Sequence, residues 1–512
     1  MKNKYIYFVV LISSMFLGSC KKFLQESSQD EIRPTTTQDL NSLMIGSAYP
    51  YQTSSDYYLD LLTDELKSNG LTTNSSYSGT FLPILNNGTN LYTWNPVMFD
   101  RSSTGLLSDQ DSWTYYYKLI NGCNLIQDYV GKVTGAQTDK DAMLGQVLFL
   151  RAYYYFKLVN IYAQPYNGAG ADPTTSLGVP LILSSVISDV RKPRNTVAEV
   201  YNQIEQDLLK AVDLLKNNYR QLNTFRVGYL TAYALLSRVY LYMNRTGDMD
   251  KVIQYASSVL TEKPALTLLT SYFNASLILN GNGIYDLNAS QEVLWQYGYN
   301  PTSYAAYIPA YSSFTNAIPP LTISDSLLSL YDRGTGTSNN GDLRYATYFL
   351  TYNNGGVQYP LRSGKVGGSA AVQAYGDKGI RIAEVYLNRA EAFIKRYKTT
   401  GQSSDLTKAL GDINTLRQSR YDTRNVAYVQ VNITNADSLF NFLKKERRRE
   451  LCLEDGHRWF DIKRWGETIT HNYIDANGAS TVYTLPHNGL IYALPIPYTA
   501  LDNNYNLVQN PR

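Results

Sequence analysis

Apolar residues recur every three or four positions through most of the regular parts of this chain, the spacing of one face of an α-helix. The pattern is densest in "LLSDQDSWTYYYKLINGCNLIQDYV" (106–130) and "DAMLGQVLFLRAYYYFKLVNIYA" (141–163), which predict an antiparallel helix pair. "NTVAEVYNQIEQDLLKAVDLL" opens with Asn195 and Thr196 as cap candidates, and Glu199 stands at capping-box spacing from Thr196. "FRVGYLTAYALLSRVYLYMN" and "DKVIQYASSVL" follow, broken at Gly247-Asp248 and stopped by Pro264. Short strands are expected at "EVLWQY" (292–297), with Trp295 in the core, and at "LIYALPIP" (490–497).

Two helix pairs carry the small-and-aromatic offsets of tetratricopeptide repeats, in which paired helices pack closely and then stack on the next pair. Ser237 and Tyr240 fit the first helix of one copy, and Val252, Ala256, Val259 and Pro264 fit the second helix and its stop. Ala390 and Phe393 in "IRIAEVYLNRAEAFIKRY", then Ala409, Ile413 and Leu416 in "SDLTKALGDINTLRQSR", form a second copy with a longer connecting loop. The fold class is therefore mostly α, a scaffold of degenerate tetratricopeptide-like helix pairs with long irregular loops and a few short strands. Gly-, Asn-, Ser-, Thr- and Tyr-rich stretches at roughly 67–105, 164–193, 296–320 and 332–376 exceed the usual loop length of about 4–6 residues. Long loops on a rigid scaffold commonly carry function.

At 512 residues the chain holds one large domain or two to three ordinary ones. Its 46 basic and 43 acidic residues leave a nearly neutral body once Lys2 and Lys4 are set aside, which argues against a nucleic-acid footprint. The 3 histidines make a His-rich metal site improbable, and the 3 cysteines form no spaced pair, so neither a zinc motif nor a disulfide framework is indicated. Tyrosine is unusually abundant, with 46 Tyr against 15 Phe and 5 Trp. A flat apolar ring with a polar tip suits wet contact surfaces as well as cores.

"MKNKYIYFVVLISSMFLGSC" reads as a targeting segment. Lys2 and Lys4 give a positive start, and Tyr5 to Leu17 is shorter than the roughly 20 residues of a membrane span. Leu17-Gly18-Ser19-Cys20 resembles a bacterial lipobox, which implies a signal peptide over 1–19 and lipid attachment at Cys20. Residues 20–36, polar and containing Pro34, read as a tether. Residues 37–512 read as a single domain with an N-terminal part to about 265 and a C-terminal part from about 266.

"ERRRELCLEDGHRWFDIKRWG" (446–466) is the most charged stretch. On a helix from Leu439 to Glu454, the residues Leu439, Phe442, Leu443 and Leu453 form one apolar stripe, and Glu446 and Glu450 fall inside it. Both carboxylates are thus expected in the core, paired to Arg, Trp, His or backbone donors supplied locally. Arg447 and Arg448 point elsewhere and are expected in solvent. A general acid/base pair would need carboxylates on both sides of a sugar ring, which i,i+4 neighbours do not provide. Glu454 and His457 match Glu-x-x-His, but neither His471 nor His487 supplies the second copy that a di-iron bundle needs. The preferred reading is a structural ion network of Glu446, Glu450, Arg458 and Asp461. It pins one helix, a break at Gly456, and a second helix from Arg458 to Trp465.

Taken together, the lipobox with "CKKFL", "TTTQDLNSLMIGSAY", "FLRAYYYFKLVNIYAQPY", "YLTAYALLSRVYLYMNRTGDMDKVIQYASSVL", "RIAEVYLNRAEAF", the charged stretch and "IYALPIPYTALDNNYNLVQNP" resemble the SusD/RagB family. These are outer-membrane nutrient-binding lipoproteins of Bacteroidetes. The resemblance implies a helical scaffold with ligand loops on one face, a charged C-terminal signature that belongs to the scaffold, and no enzymatic activity; the residues themselves offer no metal constellation and no cofactor is expected, with a structural calcium left open. It implies an oligosaccharide or peptide ligand, a SusC-like TonB-dependent transporter as partner, a lipid anchor in the outer membrane and a surface facing the cell exterior. Surface-exported members often carry acidic residues directly after the lipidated Cys; here Lys21 and Lys22 come first, and Glu26, Asp30 and Glu31 follow. A helical lid that grips only its protein partner is the remaining alternative. Sugar recognition needs rings to stack on C–H faces and amide or guanidinium donors for hydroxyls. The loops offer Trp94, Asn95 and Arg101 in one stretch, and Tyr299, Asn300, Tyr304, Tyr307 and Tyr311 in another.

Overall fold

The computed structural model describes residues 33–50, 55–71, 78–101, 110–277, 279–298, 318–354, 357–363, 365 and 378–512. The fold begins slightly before the expected end of the tether. Pro34 is buried, and the backbone of Thr35 and Thr37 bonds Thr134 at 2.8 Å. Helix α1 (Thr37–Ser47) then starts from a capping box in which Thr36 and Asp39 bond each other's backbone N–H.

Helix α2 (Ser78–Tyr92) lies in a stretch whose Asn, Gly and Thr content suggests a loop. Its buried Phe81, Ile84, Leu85, Leu91 and Tyr92 nonetheless keep helical spacing, so burial overrides propensity here. Helices α3 (Ser112–Val130) and α4 (Gln137–Tyr162) form the pair expected from the pattern, and α4 is the axis of the molecule. Every residue from Gly145 to Ala163 is buried, and the charged ones are paired, Arg151 to Asp207 and Lys157 to Asp56. Gly122 lets α3 approach α1 closely, because a Cβ there would meet the Ser47 carbonyl oxygen at 2.1 Å.

Helices α5 (Val197–Asn218), α6 (Tyr229–Met243) and α7 (Asp248–Glu262) continue the stack, each packing on the one before it. Both capping-box bonds form at α5, with the Thr196 N–H donating to Glu199 at 2.8 Å and the Glu199 N–H donating to Thr196 at 3.2 Å. After two short helices, α8 (Asp325–Leu328) and α9 (Arg344–Tyr348), comes the second repeat-like pair, α10 (Ile382–Thr400) and α11 (Ser403–Arg420). Helix α10 packs against α7, so the two pairs stack. The loop between α10 and α11 is shorter than expected. Helix α10 runs on to Thr400, and Gly401, at φ +73°, ends it by donating its N–H to the Tyr397 carbonyl. The small and aromatic positions named for both repeats are buried: Ser237, Tyr240, Val252, Ala256, Val259, Ala390, Phe393, Ala409, Ile413 and Leu416. Helices α12 (Ala436–Leu451), α13 (His457–Trp465) and α14 (Tyr498–Asn503) complete the chain.

The strands pair as antiparallel two-stranded ladders. These are β1 (Leu66–Ser68) with β3 (Leu321–Ile323), β2 (Val293–Tyr297) with β6 (Lys378–Arg381), β4 (Phe349–Asn354) with β5 (Val357–Ser363), and β7 (Ile469–Ile474) with β8 (Ser480–Leu485). "EVLWQY" is β2, with Trp295 fully buried. "LIYALPIP" is not a strand: it begins as a 3-10 turn over Leu490–Tyr492 and then runs extended without a ladder. Pro495 and Pro497 have no N–H to donate, and the Gln509 side chain brackets Ile496 in place of a neighbouring strand. One hydrophobic core runs from Leu40 to Ala500, and a second cluster fills the space between α10, α11 and α12.

Candidate functional site

The charged stretch at 446–466 forms α12, a tight link and α13. The link holds left-handed backbone at Leu453, Asp455 and Gly456, with φ of 51°, 51° and 75°. For the two non-glycine residues this conformation costs on the order of 1–3 kcal/mol each, which surrounding contacts must offset.

Glu446 and Glu450 are fully buried. Glu446 forms ion pairs with Arg344 at 2.7 Å, Arg417 at 2.5 Å and Arg449 at 2.8 Å. Glu450 meets Arg344 at 3.0 Å, Arg381 at 2.9 Å and Arg420 at 3.0 Å, and accepts a hydrogen bond from Tyr348 at 2.9 Å. Glu292 shares Arg381 and Arg420, and Glu454 pairs with Arg381 and Lys365. The partners therefore come mainly from α9, β6 and α11, not from the local tryptophans and histidine. Among the described residues, the Trp459 indole N–H and His457 Nδ1 have no hydrogen-bond partner.

The solvated reading of Arg447 and Arg448 is overturned. Arg447 is fully buried between α10 and α13, bonded to Asp461 and to Asn388, each at 2.7 Å. Arg448 pairs with Asp64 at 3.1 Å. The exposed stripe of α12 runs through Asp437, Asn441 and Lys445 and stops before its last turn, which neighbouring elements cover beyond the apolar stripe. Arg458 binds Asp64 and Glu467, and Asp461 bridges Arg447 and Arg464.

Burial alone would raise the carboxylate pKa values, but the guanidinium groups outweigh it. Arg344, Arg417 and Arg449 bring Glu446 down to about 2, and Arg381 with Lys365 brings Glu454 down to about 2. Carboxylates held this firmly as anions do not serve as general acids near neutrality. Among the described residues, no group of three His, Cys, Asp or Glu side chains is placed to hold a metal ion.

Of the loop candidates, Trp94 is only 6% exposed. Its indole N–H donates to the Leu62 carbonyl at 3.0 Å, and its ring stacks on His471 with centroids 4.1 Å apart. His471 stacks in turn on Tyr92 at 4.1 Å. The stack holds Trp94 at φ +50°. A ring so engaged anchors the end of α2 and does not offer an open face to a sugar. Trp94→Ala should lower unfolding free energy by about 3 kcal/mol in a urea titration, the lower end for loss of a buried tryptophan, while the folded fraction keeps its ligand affinity. Asn95 is also spent internally, donating to Asn90 at 3.0 Å and accepting from Val97 N–H at 3.1 Å. Arg101 is exposed, paired with Asp502 and lying 5.2 Å from the Tyr498 ring centroid. Tyr299, Asn300, Tyr304, Tyr307, Tyr311 and Cys20 lie outside the described residues.

The flanks of the Tyr-rich segment are described. Pro319 and Pro320 accept hydrogen bonds from Asn69 at 2.9 and 2.7 Å, beside β1. The other flank follows Tyr297 at the end of β2. There a buried junction, not flagged by periodicity, joins several chain ends. Lys157 of α4 lies 2.7 Å from Asp56 and 2.9 Å from Asp455. Asp56 also binds Lys378, which opens β6, at 2.9 Å and accepts from Tyr116 at 2.7 Å. Asp455 accepts from Tyr153 at 2.7 Å and from Tyr297 at 3.3 Å. Ser112 donates to the Ser55 carbonyl at 2.5 Å. Residues 55–56, 112, 297 and 378 thus share one rigid base. The signal in the sequence is Lys157, a cation flanked by Phe156 and Leu158 in the mostly apolar run of α4 that also holds Arg151.

Comparison with known proteins supplies the remaining context. A family model described as SusD-like, starch-binding and associating with the outer membrane matches residues 22–241, and the SusD family model matches residues 329–512. A SusD-like protein of Formosa agariphila is 25% identical, covering 100% of this chain and 99% of its own length. The starch-binding protein SusD of Bacteroides thetaiotaomicron is 36% identical over 136 residues, 25% of this chain and 20% of that one. The crystal structure of a SusD superfamily protein of B. thetaiotaomicron superposes with a TM-score of 0.68 at 24% identity, covering 93% of this chain and 100% of that one.

Proposed function

Because this chain belongs to the SusD/RagB family, we propose that it is a lipid-anchored outer-membrane protein that binds a nutrient oligosaccharide and passes it to a SusC-like TonB-dependent transporter. The observation that carries this reading is the match of the two family models, whose described parts fold around one continuous core. The proposed organisation is a signal peptide over 1–19, lipid on Cys20, a short tether, and one helical domain. Its role is capture without chemical turnover, so the site needs rings and hydrogen-bond donors and no nucleophile. The ligand face is the one served by the base at Asp56, Lys157 and Lys378, with Arg101 and the segment holding Tyr299, Asn300, Tyr304, Tyr307 and Tyr311 as the contacting groups.

Calorimetric titration of the purified protein against glycan and peptide panels tests this. Saccharide binding is expected, and Tyr304→Ala should weaken it by up to about tenfold, the value of one stacking ring of roughly 0.5–1.5 kcal/mol. Binding to peptides alone would replace the sugar by a peptide ligand. Binding to neither, with tight binding to an isolated SusC-like barrel, would leave a lid whose loops serve the partner. Cys20→Ala should move the protein from the membrane to the soluble fraction; retention in membranes without lipid on the mature N-terminus would refute the anchor.

A further inference from the structure

Three of the most exposed apolar side chains in the described structure lie within five residues of one loop. Val186 is 76% exposed, Ile187 96% and Val190 73%. Tyr505, at 84%, and Val508, at 61%, stand on a segment tied to the same loop. Asn504 donates to the Lys192 carbonyl at 2.8 Å, and Asn506 donates to the Arg191 carbonyl at 2.6 Å. Large apolar groups gathered at this exposure mark an interaction surface.

The position of the loop on the fold points to its occupant. Ser185, next to Val186, donates its N–H and its hydroxyl to Asp128 near the end of α3 at 2.9 and 2.8 Å. Six residues further along, Thr134 bonds Thr35 and Thr37, where the N-terminal chain joins the fold. At about 3.5 Å per residue the two anchor points lie within roughly 20 Å of each other. The loop therefore sits at the end of the molecule from which the chain leads back to Cys20. The residues between Cys20 and Arg33 span at most about 45 Å when fully extended, which lets this end of the fold, ahead of others, reach a bilayer that holds a lipid on Cys20.

The side chains suit such a surface. Valine and isoleucine partition into the acyl boundary, tyrosine favours the headgroup level, and the adjacent Arg191 and Lys192, both exposed, complement lipid phosphates. We propose that the loop around Val186, Ile187 and Val190, with Tyr505 and Val508, rests on the outer-membrane lipid surface and fixes the orientation of the protein relative to the bilayer. This rests on the lipid-anchor reading for the supply of the bilayer, and the loop's own contact is separately measurable.

The test places an environment-sensitive dye at Ile187→Cys in the full lipidated protein bound to phosphatidylethanolamine–phosphatidylglycerol vesicles. Cys123 and Cys452 are buried, so the label is selective. Emission should shift to the blue and fall at least twofold with spin-labelled lipid, whereas a dye at Val429→Cys, an exposed control position, should not respond. A water-like Ile187 signal on protein that floats with vesicles would overturn the proposal. If the protein does not float, the lipid-anchor reading has failed. The same dye on protein mixed with excess vesicles then decides the loop: a blue shift supports lipid contact, and its absence refutes it. A shift that requires the transporter barrel would also refute it, by showing that a protein covers the patch. Val186→Ser with Ile187→Ser should abolish the lipid response of a dye at Val190→Cys and leave the thermal unfolding midpoint unchanged, since neither side chain is packed.

Discussion

Glu450→Ala will cost about 5 kcal/mol of folding free energy, the upper end for breaking a buried ion pair. Three arginines, Arg344, Arg381 and Arg420, converge on this carboxylate within 3.0 Å, and all four residues are fully buried. Removing the anion leaves several guanidinium groups competing for Glu292, Glu446 and Asp342. Chemical denaturation should show the midpoint falling without a change in m-value, since the surface exposed on unfolding is the same. The ligand affinity of the folded fraction should not move. A stable variant that fails to bind would transfer this stretch from scaffold to site. The same network sets the acid limit of the protein. Glu446 and Glu454 have folded pKa values depressed from 4.5 to about 2, and Glu450 is lowered too. Their contribution is therefore complete above the unfolded value and is lost as pH falls from about 4.5 towards 2. Unfolding free energy should drop steeply over that window in the parent and less steeply in Glu450→Ala.

Lys157→Met should destabilise by about 4 kcal/mol and, unlike Glu450→Ala, should also weaken ligand binding. Lys157 is fully buried and joins Asp56 directly to Asp455 through one charged group. Without it Asp56 retains Lys378 and Tyr116, and Asp455 retains Tyr153, Tyr297 and a 3.6 Å contact with Arg238. The β2–β6 ladder still pairs Tyr297 with Lys378, but the chain at Asp56 loses its charged tie to Asp455 and to α4. Groups that bind in concert must be held within a fraction of an ångström, so a loosened base lowers affinity without touching ligand. The check is calorimetry at a temperature where both variants are fully folded. Unchanged affinity in Lys157→Met would separate the junction from the binding face.

The helix pairs were legible because their signals are local. Thr196 and Glu199 lie three residues apart, and the repeat positions from Ser237 to Leu416 recur at helical spacing. Helix α2 and the β4–β5 hairpin were not, since they lie in stretches whose Asn, Gly and Thr content matches that of loops, and the β7–β8 hairpin, of ordinary strand composition, was not assigned. The two prolines of "LIYALPIP" were a readable veto on a strand, and Gln509 completes that segment from outside it.

Periodicity determines which face of an element is hidden from water. On that basis the sequence alone placed Glu446 and Glu450 inside, because two carboxylates on an apolar stripe have nowhere else to go. What meets that face is a matter of tertiary structure. The arginines around Glu450 stand 106, 69 and 30 residues away in the chain, and no local pattern links them to it. Arg447 looks solvent-facing from its own helix and is buried because α10 and α13 close over it. Trp94 has the composition of a ligand-stacking ring and is instead the partner of His471, 377 positions on, brought there by the strand that carries it. A helical or strand period reports direction relative to one axis, whereas contact depends on the relative placement of two.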